Sequence, residues 1–220
     1  MYERKASITV DNPADTVRYR NITISGLPGT GTTTLLDLLR EHLGDRGWTG
    51  YSGGQKMRQY VDDLPETQKR HHSAEDYDEW VDRTTDEGIR QELFHSRGHI
   101  IESWLSGFLA QGVPDVLKVL LICTNELDRA HRLAARDDEQ SLNDAMLYAF
   151  KRLTENSRRW QSMYEPEWRA WVADAGKLPM EVFPFFWHPA LYDLVIDTAV
   201  YDEKAVLNLV LRELGEPYLP

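Results

Sequence analysis

Two spacings of apolar residues alternate along the 220-residue chain. Runs with β-branched residues at alternate positions, or short continuous apolar runs, occur at 20–25, near 48–51, and at 98–102, 116–124 and 192–196, and predict five strands. Between most of them apolar residues recur three and four positions apart, the period of a helix with one buried face. Leu35, Leu38, Leu39 and Leu43 mark the first such face; the last runs over 202–214, before a Gly-Glu-Pro terminator. Strand alternating with helix predicts an α/β fold in three layers, a parallel sheet covered on both faces with right-handed crossovers.

The alternation is interrupted in two places. Residues 60–97 are polar, acidic and helical in pattern, a helical excursion from the sheet edge, and a second excursion runs over about 127–165. Residues 1–18 are polar apart from 8–10 and read as a loosely attached arm, leaving 19–215 as one domain. Residues 165–190 follow neither period: Trp168, Trp171, Phe183, Phe185, Phe186 and Trp187 stand among Pro166, Pro179, Pro184 and Pro189. They are either an aromatic loop packed over the sheet edge or a surface that covers a substrate or another subunit.

The first strand runs straight into Gly26-Leu-Pro-Gly-Thr-Gly-Thr-Thr-Thr34 and then the first helix. Gly26, Gly29 and Gly31 permit a tight turn with several N–H groups facing inward, and the helix adds its positive N-terminal end. Such a nest of amides binds the β-phosphate of a nucleotide. Thr33 falls where the pattern GxxxxGK[ST] places its Mg2+-binding hydroxyl. Thr32 stands where that pattern has Lys, so the usual positive charge near the phosphates must come from elsewhere.

Charge sharpens this picture. A formal net charge of −11 argues against a long nucleic acid as partner. Yet Arg129, Arg132, Arg136, Lys151, Arg152, Arg158 and Arg159 fall in one stretch, which suits a small polyphosphate. Arg152 and Arg159 are two helical turns apart and share a face, either as a solvated stripe around Glu155 or as a catalytic pair. Arg132 and Arg136 likewise share a face. Glu102 ends an apolar strand, where a carboxylate can hold Mg2+ or its water. Asp82, Asp86 and Arg90, spaced four apart, read as a salt-bridged surface, and His71-His72 as polar surface. The single cysteine, Cys123, lies in an apolar run and reads as a buried, inert thiol. With no apolar run long enough to span a membrane and no apolar stretch at the N-terminus, the cytoplasm is the expected location.

Taken together, these stretches resemble the nucleoside monophosphate kinases, most closely the archaeal-type cytidylate kinases. Four segments, within about 20–200, carry the resemblance. The first is 22–34, which those kinases resemble even in having Thr at the lysine position. The second is Ser52-Gly-Gly-Gln-Lys-Met-Arg58, similar to a small-residue turn before an acceptor-gripping Arg. The third is Gly98-His-Ile-Ile-Glu-Ser-Trp-Leu-Ser-Gly107, similar to a segment reading Glu-Gly-Arg-Leu-x-Gly. The fourth joins 128–136, the pair Arg152 and Arg159, and Tyr192-Asp-Leu-Val-Ile-Asp-Thr198.

The resemblance implies a P-loop kinase fold with an acceptor-binding region at about 52–97 and a lid at about 127–165. It implies ATP- and Mg2+-dependent transfer to a nucleoside monophosphate, CMP or dCMP, with no membrane partner. ATP would lie on Gly26, Gly29, Thr30, Gly31, Thr32, Thr33 and Thr34, with Arg132 on the adenine and ATP-phosphate side. The acceptor would lie on Ser52, Gly53, Arg58, Asp82, Asp86 and Trp104, Mg2+ on Thr33 and Glu102, and the transferring group among Arg152, Arg159 and Arg58. Trp104 stands where the resembled segment has Arg, and 165–190 is longer than expected. Both departures keep two alternatives open: a P-loop kinase of another small acceptor such as a modified nucleotide, and a non-catalytic nucleotide-binding assembly protein.

Overall fold

The computed structural model describes residues 18–63, 79–136 and 141–217. The N-terminal arm up to residue 17, the His71-His72 pair and the middle of the first excursion lie outside the described residues. Five strands form one sheet: β1 (Asn21–Gly26), β2 (Thr49–Ser52), β3 (His99–Glu102), β4 (Val116–Ile122) and β5 (Leu194–Asp197), in the order β2-β3-β1-β4-β5. Every neighbouring pair is parallel. The helices are α1 (Thr32–Leu43), α2 (Gly53–Asp62), α3 (Glu79–His95), α4 (Ser106–Leu109), α5 (Glu126–Arg136), α6 (Leu142–Met163), α7 (Glu165–Trp168) and α8 (Glu203–Leu214).

The central strand explains the layering. All six residues of β1 are buried, since β3 and β4 flank it and both its faces are covered. Ile22 and Ile24 point to the layer of α1 and α8, where they meet Leu35, Leu39, Leu43, Leu207 and Leu211. On the opposite face α4 comes close to β1: Ser25 Oγ accepts from Gly107 N at 2.9 Å and lies 3.1 Å from Ser106 Oγ. A methyl group on Gly107 would sit 2.2 Å from the Tyr192 ring, so only glycine lets α4 approach.

This second layer holds the aromatic segment. Trp168 and Phe186 are fully buried, and with Trp171 and Tyr164 they surround Phe108. Their cluster includes Ile101 of β3 and Leu120 of β4, so the segment covers a face of the sheet and not its edge. The C-terminal end of α3 is fixed at the start of β1. Asn21 Nδ2 donates to the carbonyls of Leu93 and Ser96, its Oδ1 accepts from His99 N, and Arg20 donates to Leu93 and Phe94.

Two boundaries differ from expectation. β4 stops at Ile122, because Thr124 turns its N–H and hydroxyl to the Asp197 carboxylate. Cys123 is consequently only half-buried, its thiol donating to Asn125 O at 3.2 Å. β5 begins at Leu194, since the N–H of Tyr192 closes a turn on Pro189 O.

Candidate active site

The carboxyl ends of the parallel strands open into one cleft of about 1490 Å³, the location that strand order favours in open α/β sheets. It is lined by Gly26, Gly29, Gly31, Thr32, Thr33, Thr34, Ser52, Gly53, Arg58, Asp82, Asp86, Glu102, Trp104, Arg132, Arg152 and Arg159. Of the residues singled out in the sequence, Thr30 stands apart. Its side chain is buried and donates to Leu27 O at 2.8 Å, bracing the turn from inside.

The loop owes its shape to two glycines with left-handed backbone, Gly29 (φ +84°) and Gly31 (φ +89°). Gly31 caps α1 without any side-chain bond, so the first amides of the helix face the cleft free of a capping oxygen. A methyl group on Gly29 would lie 2.9 Å from Arg129 Cγ, and Arg129 Nε donates to Pro28 O at 3.0 Å. Helix α5 is thus clasped to the loop. Thr32 donates its hydroxyl to Glu102 Oε1 at 2.9 Å, while Thr33 and Thr34 are exposed to the cleft.

Among the described residues no group of three or more His, Cys, Asp or Glu gathers as a metal cage. One hydroxyl and one carboxylate at the edge of a phosphate nest fit Mg2+ well, since that ion keeps most of its shell as water and substrate phosphate.

The acceptor side begins with a reciprocal cap: Gln55 N donates to Ser52 Oγ at 3.2 Å and Ser52 N to Gln55 Oε1 at 3.3 Å, starting α2. Gly53 must be small here, as a methyl group would meet Ser103 Cβ at 2.8 Å. Arg58 is exposed in the cleft, with no ion-pair partner among the described residues.

The reading of Asp82, Asp86 and Arg90 as a surface salt-bridge ladder is corrected. Asp82 is 3% exposed and pairs with Arg159, Nε to Oδ2 2.8 Å. Asp86 accepts from the Tyr164 hydroxyl at 2.5 Å, and Arg90 donates to Gln111 O at 2.9 Å with its guanidinium 3.7 Å from the Trp171 ring centre. Burial pushes the Asp82 carboxyl up to about 6 in spite of Arg159. Burial likewise pushes Asp86 up to about 7, opposed by the Tyr164 hydrogen bond and aided by Asp82. Close by, Thr85 Oγ1 and Ser103 Oγ are buried in the cleft wall without a hydrogen-bond partner among the described residues.

The arginines differ from one another. Arg132 donates to Thr198 Oγ1 at 2.8 Å and Thr198 O at 2.9 Å, fastening α5 to the loop after β5. The Arg136 side chain lies outside what the structure describes. Glu155 pairs with Lys151 at 4.0 Å, while Arg159 reaches Asp82 and Asn156, so the stripe around Glu155 does not form. Arg152 instead lies over Trp104, its guanidinium carbon 5.2 Å from the ring centre.

Sequence reasoning missed Arg129 as the clasp on the loop, Tyr164 as the partner of Asp86, and the hydroxyls of Thr85 and Ser103. Arg129 stood in the basic stretch already noticed; the other three carry no local signal.

A parallel sheet with a glycine loop, a helix N-terminus and arginines around one cleft defines a P-loop kinase. The AAA domain family model matches residues 22–158. The chain is 30% identical to a cytidylate kinase of Methanothrix thermoacetophila over 88% of its own length and 96% of that protein's. It is 27% identical to a cytidylate kinase of Methanocaldococcus jannaschii over 86% of its length and 94% of that protein's. An uncharacterized protein from Eubacterium ventriosum shares the fold at TM-score 0.59 and 12% identity, covering 90% of this chain and 99% of that one. So does a shikimate kinase from Bacteroides thetaiotaomicron, at TM-score 0.50 and 12% identity over 89% and 98%. The chain belongs to the AAA domain family and to the cytidylate kinases within the P-loop kinases, and is a phosphotransferase. No helix among the described residues is long and apolar enough to cross a membrane.

Proposed function

We propose that this chain transfers the γ-phosphoryl group of ATP to a nucleoside monophosphate, with Mg2+ required and CMP or dCMP as acceptor. One observation carries the reading: a single cleft has an amide-lined loop on one wall and, on the other, Arg58, Arg152, the Asp82–Asp86 pair and two buried hydroxyls without a partner among the described residues. A phosphate nest facing a separate polar wall suits two substrates held in line. The similarity to cytidylate kinases supports CMP or dCMP.

The roles follow from the chemistry of each group. Amides of 26–33 orient the donor phosphates, Arg132 braces the donor wall, and Arg58 takes the acceptor's phosphate. Arg152 and Arg159 bring positive charge to the transferring group, where negative charge spreads over several oxygens. Thr33 and Glu102 would hold Mg2+, which supplies charge neutralisation on the phosphates when bound. The region 127–165 acts as a lid within a domain spanning 19–215, and its closure excludes water from the transfer. The cytoplasm is the location this reading expects.

Trp104 favours a second reading, transfer to another small acceptor, because an indole lines the cleft where the resembled segment has a charged group. The test is ATP turnover with and without Mg2+ against CMP, dCMP, UMP, AMP and GMP. Highest kcat/KM for CMP or dCMP supports the proposal. A different preferred monophosphate moves the assignment to the second reading, and no turnover with any of them sinks the transfer reaction itself.

A further inference from the structure

We infer that Trp104 is a positioning residue that holds Arg152 ready over the cleft, and that the aromatic segment 165–190 acts through it. The inference rests on the role proposed above for Arg152. The guanidinium of Arg152 lies over the indole, 5.2 Å from guanidinium carbon to ring centre, and Arg152 has no ion-pair partner among the described residues. Its counterpart Arg159 is bound to Asp82. A cation–π contact attracts the charge through the ring's π face and supplies no oxygen acceptor, so it does not occupy the five N–H donors of the guanidinium as a carboxylate would. A carboxylate in the same place would engage those donors, and an incoming phosphate would have to displace it. The indole holds the charge and leaves the donors to the phosphate.

Trp104 is itself held from two sides. Trp187 Nε1 donates to Trp104 O at 2.9 Å, and the Trp187 ring packs at 6.4 Å and 67°. Trp160 packs at 5.6 Å and 73°, and it lies on α6, the helix that carries Arg152. Both Trp160 and Trp187 also touch Phe186, which is buried in the core. A continuous set of packed rings therefore runs from the core through Trp187 and Trp160 to Trp104, and ends on the Arg152 guanidinium. Trp104 sits two residues beyond Glu102, so the end of β3 and the loop that follows it bring a carboxylate and an arginine support to the same cleft.

A double-mutant cycle on Arg152 and Trp104 tests this, with MgATP and CMP as substrates. Arg152→Ala lowers kcat by about 100-fold, the scale for losing one preorganised charge. Trp104→Leu lowers kcat by about tenfold, the scale of a partly desolvated cation–π contact, with the KM for CMP within about threefold of its starting value. Trp104→Phe recovers most of that loss. With Arg152 already replaced by Ala, Trp104→Leu costs no further activity, and Trp187→Leu shows the same dependence on Arg152 with a smaller loss. Additive losses overturn the inference, and a raised KM for CMP with kcat kept makes Trp104 an acceptor contact instead. If Trp104→Leu does not fold, the cycle is run with Trp104→Phe and Trp104→His, and losses independent of Arg152 overturn the inference equally. Arg152→Ala turning over at the starting rate would instead overturn the proposed role of Arg152, a separate failure.

Discussion

Arg159 Nε and Asp82 Oδ2, 2.8 Å apart, join α6 to α3 across the cleft, while Arg152 two turns earlier on α6 rests on an indole. Two arginines that look equivalent along the helix are therefore expected to fail differently when removed. Arg159→Ala leaves Asp82 buried without its counter-charge, and the carboxyl escapes the full penalty by taking up a proton. The expected stability loss is about 2 kcal/mol at pH 8 and smaller at pH 6, where protonation is easier. Arg152→Ala should leave the melting temperature within about 2 °C while turnover collapses. Melting curves at both pH values, alongside kcat, check the contrast; an Arg159→Ala protein as stable as the parent at pH 8 refutes it.

The Asp86 carboxyl sets a pH dependence of unusual sign. Its folded value is raised from 3.8 to about 7, so between those values the folded chain binds more protons than the unfolded one. Its contribution to stability is present at low pH, falls as pH rises through the window from about 4 to about 7, and stays lost above it. The groups around it are Asp82 and Arg83 on α3 and Tyr164 and Arg159 on the α6 side. Asp86→Asn keeps an oxygen that can accept from Tyr164 and removes the buried charge. It should raise the melting temperature by at least ~3 °C at pH 8 and change it little at pH 5. Equal shifts at both values would mean that burial does not control this group.

Thr32 and Thr33 separate two jobs inside one loop. Thr33→Ala removes a hydroxyl exposed to the cleft and should lower Mg2+-dependent turnover far more than stability. Thr32→Val breaks the bond to Glu102 and should raise the Mg2+ concentration needed for half-maximal rate, with Thr32→Ser restoring it. Titrating Mg2+ at fixed ATP distinguishes them, and an unchanged Mg2+ curve for both variants removes the assignment of this metal site.

Gly107→Ala is expected to destabilise the fold by at least ~2 kcal/mol, seen as a lower denaturation midpoint. The added methyl would meet the Tyr192 ring at 2.2 Å, and that ring is pinned by its hydroxyl's bond to Phe186 O. Gly112→Ala has open space around it but a left-handed φ of +75°, so it should cost only backbone strain, about 1 kcal/mol.

The sheet and the phosphate loop were legible because their signals are local. A buried parallel strand such as β4 reads as a dense run of apolar residues, and glycine spacing prescribes the loop without reference to anything distant. The arginine pair was half legible. Spacing put Arg152 and Arg159 on one face, but Asp82 and Trp104, which make them different, come from other elements of the fold. Spacing of four also misled on α3: it marks a shared face without saying whether water or protein lies against it. The answer depended on α6, α7 and the aromatic segment, whose prolines and mixed spacing hide its packing from any periodic reading. Trp104 and 165–190, the two departures noted in the sequence, turn out to be in contact through Trp187.

Helix α3 has two unlike ends. Near its last turn Asn21 and Arg20 hold the carbonyls of Leu93, Phe94 and Ser96 to the start of β1, the central strand of the sheet. Near its first turn Asp82 grips Arg159, and Arg83 grips Met163 O and Glu167, all on α6 and α7. That makes α3 a lever with its fulcrum under the sheet and its load on α6. Asp82 lies ~16 Å along the helix from Leu93, so a tilt of ~10° about the pinned end carries it ~3 Å, about one hydrogen-bond length. A displacement of α6 would therefore pull on the wall that carries Asp82 and Asp86, through the Arg159 and Arg83 contacts.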